Sequence, residues 1–183
     1  LKAGRALVQN ANITASGNGT VDARAATSIG MADGVLTSSA SGNIRYAAGS
    51  TLTLGALSTT GNVSLSASSI TDSGTSGTTD VTANELRLVT MGTASGNGAG
   101  TASNHLKLNV SKLAASVLGA GGLYVTEAND LVIGTLSAIN VNGVNADGTV
   151  TATTDAAQSN LTSAGHLIVV TTAGSLQTLA AGG

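Results

Sequence analysis

The chain has 183 residues, among them 25 Gly and two Tyr as its only aromatics, with no Pro, Cys, Trp or Phe. The absence of Cys excludes disulfides, thiolate chemistry and thiolate-ligated metals, and with seven basic against nine acidic residues, a formal net charge of -2, there is no cluster of Lys and Arg with which to displace counterions from nucleic acid. With 30 Ala, 26 Thr, 21 Ser and 14 Asn besides the Gly, the composition is foreign to enzyme domains, yet 42% hydrophobic residues are too many for a disordered chain.

From the N-terminus onward a short unit recurs, after a degenerate copy at Ala6: Gly or Asn, an aliphatic, any residue, then a second apolar residue. The copies are Gly19-Thr20-Val21-Asp22-Ala23, Gly42-Asn43-Ile44-Arg45-Tyr46, Gly61-Asn62-Val63-Ser64-Leu65 and Asn84-Glu85-Leu86-Arg87-Leu88. Four more follow as Asn104-His105-Leu106-Lys107-Leu108, Gly121-Gly122-Leu123-Tyr124-Val125, Gly148-Thr149-Val150-Thr151-Ala152 and Gly165-His166-Leu167-Ile168-Val169. Their first aliphatics lie about 21 residues apart on average, a spacing that marks solenoid repeats. A second pairing, Leu52 to Ser58 with Leu131 to Ser137, is also similar.

Inside each unit the apolar positions alternate with period 2, the pattern of a strand with one buried face. A lone strand of this length cannot bury its apolar side, whereas stacked copies can. The sequence therefore predicts an all-β, parallel β-solenoid (β-helix) of about 8–9 coils of roughly 21 residues, occupying 1–183 as a single segment, about 40 Å long at one strand spacing per coil. The missing Pro agrees, because a strand paired on both sides needs every N–H. A β-sandwich fits less well without an aromatic anchor, and no Leu-x-x-Leu-x-Leu frame supports a leucine-rich repeat. No apolar run reaches the length of a transmembrane helix, so membrane insertion is not expected. Both ends read as ordinary repeat sequence, which suggests an excerpt of a longer chain or a rod that associates end to end.

The unit Gly61-Asn62-Val63-Ser64-Leu65-Ser66-Ala67-Ser68-Ser69-Ile70, the run Ile70 to Gly74 followed by Asp80 to Leu88, and Gly122 to Leu131 resemble coils of filamentous haemagglutinin-like proteins and related giant bacterial surface adhesins. The resemblance covers nearly the whole chain. It implies a right-handed parallel β-helix, export through an outer-membrane pore, and a role as an adhesive or scaffolding fibre at the bacterial cell surface. The amino-terminal secretion domain and the calcium nonapeptide repeats of such proteins are absent from this sequence.

Candidate sites are few. Stacking is expected to put Arg45, Ser64, Arg87 and Lys107 in one outward row above Asp22, and Arg45, Arg87 and Lys107 could face an acidic glycan or another anionic partner. His105 and His166 share a phase of the repeat, three coils apart by this count, too far to share a metal. Glu127, Asn129 and Asp130, and the oxygen-rich stretch Asn140 to Gly148, offer oxygens to calcium but read better as Asx-type turns. Three stretches exceed ordinary turns, Thr71 to Asp80, Gly92 to Asn104 and Gly134 to Gly148, and insertions of this kind map to faces of solenoids. Asn-x-Ser/Thr occurs at Asn12, Asn18, Asn62, Asn109 and Asn160. Carboxylates are scattered, without the facing pair that glycan cleavage needs. The expectation is thus a non-enzymatic fibre segment with no cofactor, its partners being itself or surface glycans. The alternative is a glycan-binding or polysaccharide-degrading β-helix protein.

Overall fold

A computed structural model describes residues 1–74, 77–145 and 147–180. The chain is a parallel β-solenoid of about six stacked turns, each of about 23 residues, with no helix among the described residues. Three strands make a turn. The first is β1 (Lys2–Ala3), β2 (Leu7–Gln9) and β3 (Ile13–Ala15); the second β4 (Val21–Ala25), β5 (Ile29–Met31) and β6 (Leu36–Ser39); the third β7 (Ile44–Ala48), β8 (Thr51–Leu54) and β9 (Ala56–Ser58). The strands β10 (Asn62–Ala67) and β11 (Ser69–Asp72) continue the stack. Two long strands, β12 (Val81–Thr90) and β14 (Leu106–Val117), then each run from one face into the next, with β13 (Gly98–Ala99) between them and β15 (Gly122–Glu127) after.

The register explains the stack. Val21, Ile44, Val63 and Leu86 form one inward column, as the repeat predicts, but the next members are Leu113 and Ile133 rather than Leu106 and Leu123. Leu123 and Leu167 belong to a second face, stacked with Ile29, Leu52, Ile70 and Ala99. Leu106 stacks on Val125, in the same strand as Leu123, and the chain joins a third face at Leu108, which stacks on Val81. All three faces carry the same alternation, so successive sequence units do not report which face they occupy; counting them as one column overstated the coils.

Ile44, Leu52, Leu65, Ile70, Leu86 and Leu123 are fully buried. Tyr46 fits because its column neighbour on β4 is the small Ala23. Its hydroxyl donates to Gln9 Oε1 at 2.7 Å and sits 2.7 Å from Thr37 Oγ1, while Gln9 Nε2 donates to Thr37 at 2.9 Å. Burial pushes the Tyr46 phenol up to about 12. Polar atoms at the corners are met the same way in successive turns: Ser39 donates to Gly19 O and accepts from Gly42 N, and Thr59 donates to Gly42 O and accepts from Gly61 N. A Cβ on Gly42 would lie 2.1 Å from Gly19 O, so this corner of the repeat requires glycine.

The largest departure from the repeat begins after β16 (Leu131–Ile133). Ile133 stacks on Leu113, and β21 (Leu161–Ser163) resumes on Ala115, so everything between is inserted within one face strand. The insert is a long antiparallel hairpin. Its root is β17 (Thr135–Leu136) with β20 (Gln158–Ser159), and its arm is β18 (Ile139–Val144) with β19 (Val150–Asp155). Val150, which heads a repeat unit in the sequence, is therefore part of this arm and not of a coil. Asn160, at φ 64°, turns the chain back into the stack, donating its N–H to Gly134 O and accepting from Ala115 N. The last described strands of the stack are β22 (Leu167–Thr171) and β23 (Leu176–Thr178).

Candidate functional site

The hairpin folds back along the outside of β12, β10, β7 and β4, and the outward row beneath it is Asp22, Arg45, Ser64, Arg87 and Ala114. Asp22 pairs with both Arg24 (2.8 Å) and Arg45 (3.1 Å). On its other side, Arg45 Nε donates to Asp155 Oδ2 on the hairpin at 2.9 Å, and the same oxygen accepts from Ser64 Oγ at 2.6 Å. Arg87 Nε donates to Ala156 O and its Nη1 to Ser64 Oγ. Further along, Asn43 donates to Asn140 O and Asn142 N donates to Thr20 Oγ1. Ile139 and Val141 of the hairpin and Asp22 and Ser64 of the sheet are all buried by this contact.

The charges respond to that burial. It pulls the Arg45 guanidinium down, but the hydrogen bonds and charges of Asp155 and Asp22 outweigh it and leave a net rise. Asp155 is likewise opposed by burial, yet Ser64 and Arg45 hold it below the usual carboxylate range. Arg87 is lowered, by burial first and by the like charge of Arg45, against the pull from Asp155. Among the described residues no carboxylate lies within 4 Å of it.

Beside the hairpin the same sheet carries an open groove of about 600 Å³. Its floor is the outward column Lys2, Arg24, Ala47, Ser66 and Val89, in register across five strands, with Met91 lining it beyond Val89. Arg45, Arg87 and Asp155 form its wall. This groove is the feature best suited to hold a ligand. No family model matches the chain, and no curated protein or solved structure is detectably similar to it.

Lys107 is not part of the row. Its Cα partner is Thr126, and its ammonium donates to Asp72 Oδ2 at 2.8 Å and to Asn104 Oδ1 at 3.3 Å. The expected basic row Arg45, Arg87 and Lys107 is thus corrected to Arg45 and Arg87, because the chain reaches Leu106 on a different face. Lys107 instead neutralises a carboxylate pair. Asp80, 1% exposed, accepts from the Lys107 N–H; burial pushes its acid up to about 7, helped by the charge of Asp72. Asp72 itself is held low, its burial outweighed by Lys107 and by the Gly74 N–H.

The two His are closer in the fold than their sequence phase implied. His105 and His166 lie on either side of Tyr124, with ring centroids 5.7 and 6.3 Å from it. The carboxylates weighed for calcium serve the backbone. Glu127 accepts from Val110, Ala128 and Asn129 N–H groups, which offset part of the rise that burial imposes. Asp130 accepts from Ser175 N, and Asp147 from the N–H and hydroxyl of Thr149. Among the described residues no three His, Asp or Glu converge as a metal site, and no helix could cross a membrane.

The residue that sequence reasoning missed is Asp155. It stands 110 positions from Arg45, and nothing in its local pattern marks it. The one available signal was the stretch Gly134 to Gly148, longer than an ordinary turn, which covers the hairpin's outgoing strand but not Asp155.

Proposed function

We propose that the chain is a rod segment of a structural or adhesive fibre of a bacterial surface or secreted adhesin, acting without catalysis. The observation that carries this reading is the uninterrupted stacking of inward columns from turn to turn, as in Val21, Ile44, Val63, Leu86 and Leu113. Leu161, Leu167, Val169 and Leu176 extend such columns and line an open hollow of about 450 Å³. Stacked parallel ladders lengthen coil by coil at constant cross-section, which suits a stiff stalk. A further coil, of the same chain or of a second copy, would bury these residues and pair the open strand edges.

Electron microscopy over a concentration series, together with adhesion of rod-coated beads to cells, tests the proposal. Fibres lengthening along the rod axis, or specific bead attachment, are expected. Short rods at every concentration combined with non-adherent beads would overturn it. Release of reducing ends from acidic polysaccharides would favour an enzyme instead.

A further inference from the structure

We infer that the groove beside the hairpin binds a stretch of acidic polysaccharide laid along the rod axis. Charge is the first argument. Lys2, Arg24, Arg45 and Arg87 line the groove, against Asp155 in its wall and Asp22 beneath. The two carboxylates are consumed by Arg24 and Arg45. Arg87, half-buried, uses Nε and Nη1 on Ala156 O and Ser64 Oγ, and its Nη2 has no acceptor among the described residues. A partly desolvated guanidinium without a counter-ion is costly, and an oxyanion on its free edge removes that cost. Lys2, at the far end, is also without an ion-pair partner there.

Shape is the second argument. Lys2 and Arg87 stand four strand steps apart, on β1 and β12, which at about 4.8 Å per step separates the exposed Lys2 from the free edge of Arg87 by roughly 19 Å. A ligand reaching both must be linear and carry anions at intervals of several sugar rings. Between them Ala47, Ser66 and Val89 give a flat floor of mainly C–H surface. The strands under that floor are paired on both sides, so their N–H and C=O groups are spent. A peptide would bring its own amides to a surface with nothing to bond them. A saccharide lays its C–H face on such a floor and keeps its hydroxyls in water. The volume lies in the range of ligand sites.

The inference goes beyond the fibre reading and does not rest on it, since every residue it uses lies on one chain. Calorimetric titration of the full chain with a carboxylated hexasaccharide (oligogalacturonate), a sulfated hexasaccharide, a neutral hexasaccharide and poly-glutamate tests it. Saturable binding of one or both acidic sugars is expected, weakening with salt; the tighter of the two identifies the preferred anion. Ser66→Trp, which fills the floor without touching the hairpin, and Arg87→Gln should each weaken binding about tenfold or more, while Lys112→Ala should leave it unchanged. Absence of saturable binding, equal affinity for the neutral sugar or poly-glutamate, or indifference to Ser66→Trp would each overturn it.

Discussion

Leu123 and Leu167 are direct neighbours in one interior column, yet Leu123 is fully buried and Leu167 is 45% exposed. Both belong to an inward pattern; the difference is that further strand layers and a closed core surround the first, while the second faces the open end. On the outside the relation is reversed. Asp22 and Ser64 occupy outward positions, where a solenoid normally meets water, and are 4% and 0% exposed because the hairpin lies over them. An exposed inward leucine and a buried outward aspartate show that direction along a strand decides which face a side chain takes, while the adjacent layer decides whether that face is dry.

The contrast is broken most sharply inside the middle turns. Leu52→Ala should cost about 2–5 kcal/mol, since turns stacked on both sides cannot collapse around the cavity; denaturant unfolding measures it. The next effect concerns the covered outer face. Asp155→Ala removes the acceptor shared by Arg45 and Ser64, with an expected loss of about 1–3 kcal/mol. Hydrogen exchange should speed up in β18 and β19 first, leaving the β7 and β10 amides slow, if the hairpin is a separate layer laid on a finished rod.

A third test uses pH. The folded state holds the Asp80 proton to about 7, whereas an unfolded aspartate releases it near 4. Between those values the native state binds more protons, so this group makes stability fall as pH rises through the window, levelling off above it. Asp80→Asn should flatten that part of the profile in thermal melts recorded from pH 4 to 8. The paired Asp72 and Asp155 act in the opposite direction: their stabilisation is present above the ordinary carboxylate pKa and is lost as pH falls below it. The smallest effect belongs to the open end. Leu167→Ala should cost less than about 1 kcal/mol in dilute solution, because much of its surface already meets water. If its destabilisation instead matched that of Leu52→Ala, the end would already be covered by a second copy, and sedimentation would show it.

The strands, their period-2 alternation, the parallel stacking and the glycine corners were all legible in the chain of residues. These are local properties: side-chain direction comes from strand geometry, and the Gly42 corner comes from the close approach of one turn to the next. The first four members of the leading column, Val21, Ile44, Val63 and Leu86, were legible as well, because there each turn contributes one unit in the same phase. Beyond Leu86 the path of the chain is a matter of tertiary packing. The long strands β12 and β14 pass from face to face, which moved Lys107 out of the row with Arg45 and Arg87 and brought His105 and His166 to opposite sides of Tyr124. The hairpin's return over β4, β7 and β10 was likewise invisible, since its β18–β19 pairing is antiparallel within the insert and its docking joins Arg45 to Asp155 across 110 positions. Contacts at that separation depend on how many turns the rod has climbed before the insert leaves it, and a repeat whose three faces share one pattern does not record that count.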